Sequence, residues 1–259
     1  MQCTGQNIRK IVLQQSKRAN VGHIGCSLSV ADIIASVYED VLQMKGADDP
    51  DRDRFVLSKG HAALALFAAL ALKGVIPFEQ LNTFCGNHSL LGVHPEFLLP
   101  GVDFSTGSLG QGFCTGVGAA LAARLQKSSR RVFVVLSDGE CNEGCIWEAA
   151  MFAAHHKLSN FTAIIDLNGQ QAFGYTKDVM EVSNMAERWR AFGWETLEVD
   201  GHDTTALRNA LKKNGSTAPR MIVARTVFGK GVSFMEKQIK WHYMPMTDQE
   251  YEQALAEVG

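Results

Sequence analysis

Short apolar runs alternate along the chain with longer segments in which apolar residues recur at helical spacing. The run at 132–136 is apolar throughout, which is typical of a strand buried on both faces of a sheet. Further strands are predicted at 54–57, 161–166, 195–199 and 220–225. Helices are predicted at 28–44, 62–74, 108–127, 145–157, 178–192, 203–214 and 247–257. Because strand and helix alternate, we expect right-handed βαβ crossovers and an α/β fold whose mostly parallel sheet carries helices on both faces.

This pattern predicts a single domain over residues 1–259, with a C-terminal tail from about residue 228. The segment 77–106 departs from the alternation, because its periodicity is weak and it contains three of the six prolines. We expect a long irregular excursion there, and such loops are often functional. Thr247 and Glu250 have the Thr-x-x-Glu spacing of a capping box, which predicts where the last helix begins.

Composition excludes several classes of protein. With 259 residues and a formal net charge of −2, the chain lacks the basic excess of nucleic-acid-binding proteins. Its longest apolar run, 62–72, is far shorter than the roughly 20 residues of a membrane-spanning helix. The first residues lack the pattern of a secretory signal. The six cysteines form no Cys-x-x-Cys pair, so we expect reduced thiols and a cytoplasmic location.

The most specific chemical signal lies at two strand ends. Asp138 and Gly139 follow the strand at 132–136, and Asn168 follows the strand at 161–166. Their separation of 30 residues (168 − 138) fits one βαβ unit, so both side chains should reach the edge where open α/β sheets bind ligands. A carboxylate and an amide oxygen suit Mg²⁺ or Ca²⁺, with phosphate oxygens completing the shell. Each Asp-Gly or Asn-Gly alone is an ordinary turn dipeptide, but the pair favours a metal-bridged diphosphate.

Here the chain resembles the transketolases, and within them the N-terminal, diphosphate-binding part. The resemblance rests on the Asp138 to Asn168 unit and on further stretches in the family's order and spacing. These are 19–23 (Ala-Asn-Val-Gly-His), 57–61 (Leu-Ser-Lys-Gly-His), His88 with 93–96 (Val-His-Pro-Glu) and 105–112 (Ser-Thr-Gly-Ser-Leu-Gly-Gln-Gly). The resemblance implies the thiamine-diphosphate-binding fold, thiamine diphosphate as cofactor, and Mg²⁺ as its metal, for which Ca²⁺ or Mn²⁺ could substitute.

The resemblance also implies roles for residues around the cofactor. The family's metal ligands match Asp138, Asn168 and the backbone carbonyl of Gln170. Gly139 would offer its N–H to the diphosphate, and the backbone around the aminopyrimidine ring would come from Gly107 and Leu109. The implied cofactor-binding residues are therefore His61, Gly107, Leu109, Asp138, Gly139 and Asn168. The plain alternative for the glycines is that they permit close helix packing.

Four histidines match those that line the family's substrate channel or touch the cofactor phosphates. His61 is the one assigned to the phosphates. His23, His94 and His242 are predicted to be catalytic, because a neutral imidazole can both donate to a sugar hydroxyl and accept a proton from it. Glu143 matches a glutamate of the acidic proton relay that joins two active sites across a subunit interface. The alternatives are structural histidines and a helix N-terminal acid favoured by the dipole.

Some positions depart from the family pattern. Ser137 replaces the first glycine of the usual Gly-Asp-Gly. Gln170 and Ala172 stand where aliphatic side chains commonly pack on the thiazolium ring. Lys59, by contrast, is in keeping with the resemblance, because its position is often polar and near the substrate phosphate in the family.

The resemblance covers only the first domain of a transketolase, without the pyrimidine-binding domain and its activating glutamate. It implies the N-terminal subunit of a split transketolase, which transfers a two-carbon ketol unit from a ketose phosphate to an aldose acceptor together with a separate C-terminal subunit. The expected assembly is an A₂B₂ heterotetramer. The alternatives are the α subunit of another thiamine diphosphate enzyme of the 2-oxo acid dehydrogenase type, a non-catalytic relative of the fold, and an N-terminal fragment of a longer enzyme.

Overall fold

A five-stranded parallel sheet is the centre of the molecule. The computed structural model describes residues 1–44, 46, 49–182, 184–212 and 215–259. Within these residues the strands are β1 (Arg54–Leu57), β2 (Val132–Ser137), β3 (Phe161–Leu167), β4 (Gln170–Gln171), β5 (Gly174–Tyr175), β6 (Glu195–Asp200) and β7 (Arg220–Arg225). The main sheet has the order β1-β2-β3-β7-β6 with every pair parallel, and β4 and β5 form a separate antiparallel hairpin. The five predicted strands and the mostly parallel sheet are confirmed.

Helices connect these strands. In the described part of the chain they are α1 (Gly5–Ala19), α2 (Ile24–Ser29), α3 (Ala31–Asp40), α4 (Ala63–Leu72), α5 (Gln111–Leu125), α6 (Gly144–His155), α7 (Thr176–Val179), α8 (Met185–Ala191), α9 (Thr204–Lys212), α10 (Lys240–Tyr243) and α11 (Asp248–Val258). In place of the single helix predicted at 28–44, the structure has two consecutive helices, α2 and α3, and α3 ends at Asp40. The helix predicted at 178–192 is replaced by α7 and α8. Residue 183 of that prediction, and 213–214 of the helix predicted at 203–214, lie outside the described residues.

Helix α1 is absent from the sequence prediction, although its buried residues Ile8, Ile11 and Val12 recur at helical spacing. Arg9, Gln15 and Ser16 are buried in this helix. The Arg9 guanidinium is held by the Asp32 carboxylate of α3 and by the carbonyl oxygen of Leu28, which compensates for the burial of its charge. Because polar residues outnumber apolar ones in this helix, its overall hydropathy is low, and sequence reasoning missed it.

The two faces of the sheet are covered by separate apolar clusters, as the predicted helices on both faces require. On β2, Phe133 and Val135 belong to a cluster with residues of α1, α3, α4 and α9. The alternate residues Val134 and Leu136 belong to a second cluster with residues of α5, α6 and α8. All of these β2 side chains are buried, which explains why the strand reads as an uninterrupted apolar run.

Aromatic side chains are concentrated in the second cluster. The ring centroids of Trp189 and Trp194 are 4.8 Å apart, those of Trp147 and Trp189 are 5.3 Å apart, and Phe113 stacks on Trp194 at 6.0 Å. Trp241 lies elsewhere, in α10, with the Lys240 ammonium 4.4 Å from its ring centroid. Three tryptophans therefore pack together on one face of the sheet, and the fourth, Trp241, lies in the C-terminal segment.

The last part of the chain returns to the first helix. Thr247 and Glu250 form the predicted capping box in both directions, which confirms where α11 begins. Near the end of α11, the Val258 carbonyl accepts a hydrogen bond of 2.9 Å from Gln6 Nε2 of α1. The segment 77–106 contains one 3₁₀ turn, Phe78–Thr83, and is otherwise without helix or strand, in agreement with the predicted excursion.

The turns that carry many of the predicted site residues follow the carboxyl ends of three neighbouring strands. β1 leads into the 3₁₀ turn Gly60–Ala62, β2 leads into the 3₁₀ turn Gly139–Asn142, and β3 leads into the β4–β5 hairpin. Since parallel strands end at the same edge of a sheet, these connections surround one region at the sheet's carboxyl edge.

Candidate active site

The ends of β2 and β3 are joined by hydrogen bonds around one carboxylate. Asp138 Oδ2 accepts a hydrogen bond of 2.7 Å from the N–H of Gly169, and its Oδ1 accepts one of 2.8 Å from the N–H of Gly139. Asn168 Oδ1 accepts a hydrogen bond of 3.0 Å from the N–H of Gln170. The carboxylate, the amide and the backbone of residue 170 therefore belong to one compact turn region.

Asp138 is fully buried, and no basic side chain among the described residues forms an ion pair with its carboxylate. Burial, followed by the negative charge of Asp166, raises the pKa of Asp138 to about 7, although backbone N–H groups and the Lys59 charge oppose this. A divalent cation would offset this cost, and Asn168 and the Gln170 carbonyl supply the neutral oxygens that Mg²⁺ accepts. Nowhere in the described ranges do three His, Cys, Asp or Glu side chains converge on a metal position, so such a site depends on this mixed oxygen set. The residues present fit Mg²⁺.

The Gly139 N–H, the predicted diphosphate donor, is engaged by Asp138 Oδ1 in this structure. A Cβ added at Gly139 would lie 3.1 Å from the Cβ of Gln171, tighter than ordinary contact. Glycine at this position therefore lets the β2 turn approach the hairpin that follows β3.

A second buried carboxylate, Asp166 of β3, lies beside the first. It accepts hydrogen bonds from Ser29 Oγ at 2.6 Å and Asn168 Nδ2 at 3.3 Å, and it also accepts from the Thr226 hydroxyl and pairs with the Lys59 ammonium. Because a carboxylate only accepts, the Asn168 amide must turn its NH₂ toward Asp166, which leaves Oδ1 on the other side. Asp166 therefore orients a predicted metal ligand.

Lys59 is wholly buried against Asp166. Burial lowers the pKa of Lys59, but the charge and hydrogen bond of Asp166, together with Cys26 and Asp138, outweigh it, and the net pKa is raised above its usual value. The Lys59 ammonium is therefore charged and occupied by an internal partner. The sequence gives no sign of this pairing, since the two residues are 107 positions apart.

The histidines come from four separate parts of the chain. The ring centroids of His23, His61 and His242 lie 5.1 to 5.7 Å from one another. His94 packs beside Gly107, where an added Cβ would be 3.4 Å from its ring. The backbone also joins the cluster, because the His242 carbonyl accepts a hydrogen bond of 3.1 Å from the N–H of His23. Three imidazoles thus form a triangle, with the fourth on the same cavity wall.

The three imidazoles of the triangle are held in the neutral form. Burial lowers the pKa of His242 to about 4, with the His23 charge adding to the effect. Burial and then the Lys59 charge hold the pKa of His61 well below 6.5, and burial followed by His94 lowers that of His23. Neutral imidazoles can donate to and accept from hydroxyl groups, as proton transfer at a sugar oxygen requires.

A buried glutamate organises the other side of the site. Glu140 accepts hydrogen bonds from Ser58 Oγ at 2.6 Å and from the backbone N–H groups of Gly110 and Ser137 at 2.9 and 2.8 Å. It therefore ties the β1 and β2 ends to the loop that carries Leu109. Sequence reasoning missed this role, although Glu140 stands two positions after Asp138. Glu143, by contrast, is exposed and precedes α6 without capping it by a side-chain hydrogen bond.

One cavity of about 370 Å³ lies over these groups. Nine of the eleven residues that sequence reasoning singled out line it: His23, His61, His94, Leu109, Gly139, Glu143, Asn168, Gln170 and His242. Asp138 lies buried beneath the wall, and Gly107 lies behind His94. Apolar residues that sequence reasoning did not assign complete the lining: Phe173 and Met180 are exposed, and Phe228 is buried. Phe173 is 86% exposed, at the tip of the β4–β5 hairpin.

No helix in the described residues is both long enough and apolar enough to cross a membrane.

Comparison with known proteins identifies the family of this arrangement. The family model described as "Transketolase, thiamine diphosphate binding domain" matches residues 2–259. The chain is 40% identical to the 6-deoxy-6-sulfo-D-fructose transketolase subunit of Clostridium sp. (strain MSTE9), over 97% of this chain and 93% of that protein. It is also 40% identical to an apulose-4-phosphate transketolase subunit of Phocaeicola vulgatus, over 97% of this chain and 91% of that protein.

Solved structures of transketolases have the same fold as this chain. The transketolase of Campylobacter jejuni superimposes with a TM-score of 0.93 at 32% identity, and the match covers 100% of this chain and 42% of that one. A Pichia stipitis transketolase variant in complex with fructose-6-phosphate gives a TM-score of 0.92 at 30% identity, covering 40% of its length. The chain thus spans about two fifths of these full-length transketolases but nearly the whole of the curated subunits. The fold class and the resemblance are confirmed: this chain belongs to the transketolase family, as its thiamine diphosphate-binding domain.

Proposed function

We propose that this chain is the diphosphate-binding subunit of a two-subunit transketolase. Together with a separate C-terminal subunit that carries the pyrimidine-binding domain, it transfers a two-carbon ketol unit from a ketose phosphate to an aldose acceptor. The observation that carries the proposal is the cavity over β1, β2 and β3, where metal-ligand candidates and neutral histidines from distant segments share one wall. The relatives named above, which are transketolase subunits of similar length, support the two-subunit form.

Residues of this chain would hold the cofactor and its metal. Asp138, Asn168 and the Gln170 carbonyl are assigned to Mg²⁺, and Gly139, Gly107, Leu109 and His61 to thiamine diphosphate. When bound, thiamine diphosphate supplies the carbon nucleophile that carries the two-carbon unit, and the protein supplies orientation. The buried carboxylate of Asp138, whose pKa is raised by burial and by Asp166, is the feature that a metal-bound diphosphate would complete.

The histidines would handle the substrate. A neutral His23, His94 or His242 can accept a proton from a sugar hydroxyl or donate a hydrogen bond to a sugar oxygen. Lowered imidazole pKa values keep His23 and His242 unprotonated near pH 7, so each is available as a proton acceptor. Glu143 lies exposed at the rim, where it would face a neighbouring protomer and serve the proposed proton relay.

Three further parts complete the proposal. Exposed apolar side chains at the mouth, among them Phe173 at 86% and Met180 at 58%, suit contact with a partner chain. Two such pairs related by two-fold symmetry would form an A₂B₂ heterotetramer.

The cysteines bear on the location of the protein. Six free cysteines are consistent with a reducing compartment, so we place the protein in the cytoplasm. The chain would act as a single domain, with the segment from about residue 228 as its C-terminal tail.

Reconstitution tests the activity. The chain is mixed with its partner, Mg²⁺ and thiamine diphosphate, and two-carbon transfer between sugar phosphates is followed by mass spectrometry. We expect transfer from at least one ketose phosphate in the complex and none when either chain is assayed by itself. Oxidative decarboxylation of a 2-oxo acid without ketol transfer would assign the chain to the other class of thiamine diphosphate enzyme. Cofactor binding without either reaction would indicate a non-catalytic relative.

The metal site has its own test. Asp138→Ala should abolish the Mg²⁺-dependent heat of thiamine diphosphate binding in calorimetry of the complex, because the single charged ligand is lost. Glu252→Ala, which removes an exposed carboxylate on α11, is the matched control and should bind normally. Circular dichroism establishes that both variants are folded. Normal Mg²⁺-dependent binding by Asp138→Ala would remove Asp138 from the ligand set.

A further inference from the structure

The β4–β5 hairpin and the C-terminal segment face each other across the cavity wall. The hairpin, residues 170–175, begins two residues after Asn168, so it starts at the proposed metal site. The segment 237–243 ends in α10, which carries His242. Gln170 and His242 both line the cavity. Whatever joins these two segments also joins the cofactor side of the site to its histidines.

Side-chain hydrogen bonds connect them. Gln170 Nε2 donates to the Lys237 carbonyl at 2.7 Å, and the Tyr175 hydroxyl donates to the same oxygen at 3.0 Å. In the opposite direction, the Tyr243 hydroxyl donates to the Ala172 carbonyl. Both lone pairs of the Lys237 carbonyl are therefore used by the hairpin.

The Gln170 amide is committed to this connection. The residue is only 6% exposed, and among the described residues its Oε1 has no hydrogen-bond partner. Exchanging its oxygen and nitrogen would set two oxygens against each other, so the amide orientation is determined by Lys237. A buried orphan oxygen costs free energy, and an aliphatic side chain, common here in the family, would avoid that cost. The donor to Lys237 is what an aliphatic side chain could not provide.

The segment that receives these hydrogen bonds has an unfavourable backbone conformation and a short helix, so contacts with other segments stabilise its position. Lys237 has a φ of +61°, a left-handed conformation that a non-glycine residue rarely adopts. From there the chain enters α10 and reaches His242, whose ring lies 5.1 Å from that of His23 and 5.6 Å from that of His61. α10 is only four residues long, so its own hydrogen bonds do little to fix its position.

We infer that the Gln170 side chain is a positioning residue for the transfer reaction. Its backbone carbonyl belongs to the proposed metal site, while its side-chain amide fixes Lys237 and thereby places His242 against His23 and His61. The inference rests on the proposed function for its consequence on activity. Its structural content, a hairpin that holds α10 in place, is measurable without any cofactor.

Hydrogen exchange tests the structural content. In Gln170→Met, which keeps the length of the side chain but removes the donor, amide exchange in peptides covering 237–244 should rise roughly fivefold, the equivalent of one lost hydrogen bond. Exchange in β2 and β3 should stay unchanged. Gln253→Met, on the exposed face of α11, is the matched control. Tyr175→Phe removes the second donor and should produce a smaller rise in the same peptides.

Kinetics of the reconstituted complex test the consequence. Gln170→Met should lower kcat/KM for the ketose phosphate by roughly fivefold while the affinity for Mg²⁺ and thiamine diphosphate stays within about twofold. If Gln170 acts through His242, the same substitution should have no further effect in a His242→Ala background. A change in cofactor affinity with unchanged substrate kinetics would assign Gln170 to packing on the cofactor and overturn the inference.

The outcomes separate the two proposals. Unchanged exchange at 237–244 in both Gln170→Met and Tyr175→Phe overturns the inference, whatever the activity does. Losses that add in the His242→Ala background overturn it as well. If Gln170→Met exchanges faster everywhere because it folds poorly, Tyr175→Phe decides. If the unsubstituted complex transfers no two-carbon unit, the proposed function fails, and the exchange experiment still decides whether Gln170 holds α10.

Discussion

The buried ion pair between Lys59 and Asp166 allows a sharp prediction about stability. Both side chains are 0% exposed, and the Asp166 carboxylate lies beside that of Asp138. Replacing Lys59 by Met removes the positive charge and leaves an uncompensated carboxylate in the interior. Breaking a buried pair from one side costs about 3–5 kcal/mol. Asp166 keeps its other donors, including Ser29 and Asn168, so we expect the lower end, about 3 kcal/mol, in the free energy of unfolding.

Two further variants identify the cause. Lys73→Met removes the ammonium of a surface pair whose side chains are 33% and 30% exposed, and it should cost less than about 1 kcal/mol. The double variant Lys59→Met with Asp166→Asn leaves no unpaired charge and should recover at least half of the Lys59→Met loss. Urea denaturation followed by far-ultraviolet circular dichroism gives each free energy, provided that the slope m is unchanged.

The result that refutes this reasoning is specific. A loss in Lys59→Met no larger than that in Lys73→Met would mean that the Asp166 charge is not buried in the way the structure indicates. A double variant less stable than Lys59→Met would mean that the side-chain volume, and not the unpaired charge, accounts for the loss.

Other expectations follow from single contacts. Gly25→Ala should destabilise the protein by roughly 1–3 kcal/mol in urea denaturation, because the new Cβ would lie 2.1 Å from the Phe228 ring, whereas Gly118→Ala, which meets nothing within 4 Å, should stabilise it by about 0.5–1 kcal/mol. Equal effects of the two would contradict the packing at α2. The folded-state pKa of His242 is lowered from 6.5 to about 4, so the folded state binds fewer protons and this contribution to stability decreases as the pH falls through that window. The stability advantage of the unsubstituted chain over His242→Gln should therefore shrink on acidification, and a growing advantage would show the sign to be wrong. Thr247→Ala should lower the free energy of unfolding by about 1 kcal/mol through loss of the capping box, with an unchanged melting curve as the contrary result.

The central strands β2 and β3 can be predicted from the sequence because they are buried on both faces. β2 reads as an apolar run for that reason, and its neighbour β3 reads the same way until Asp166. Helix α1 was missed by the same reading because its overall hydropathy is low, although Ile8, Ile11 and Val12 recur at helical spacing, and the pairing of Arg9 with α3 leaves no local signal. Local spacing reports burial against an apolar neighbour and is silent about polar groups that are satisfied at a distance.

The residues of the candidate site also differ in whether they can be predicted from the sequence. The strand-end residues Asp138 and Asn168 can be found from their spacing, since one βαβ unit determines where both ends meet. The four histidines can be assigned only by family resemblance, because no spacing rule joins His23 to His242. The connection of Gln170 to Lys237 is beyond either approach, since it depends on the path of a loop after the last strand.

The separation of the tryptophans has an optical consequence. Trp147, Trp189 and Trp194 share one aromatic cluster, whereas Trp241 stands apart, next to His242 and with the Lys240 ammonium over its ring. The emission that disappears in Trp241→Phe is therefore that of the short helix that carries His242. The Trp147 indole donates a hydrogen bond of 2.8 Å to the Cys141 carbonyl, in the turn after β2 that lines the cavity. A change in emission on ligand binding that persists in Trp241→Phe would thus come from the β2 side of the site, and one that is lost in this variant would come from the His242 side.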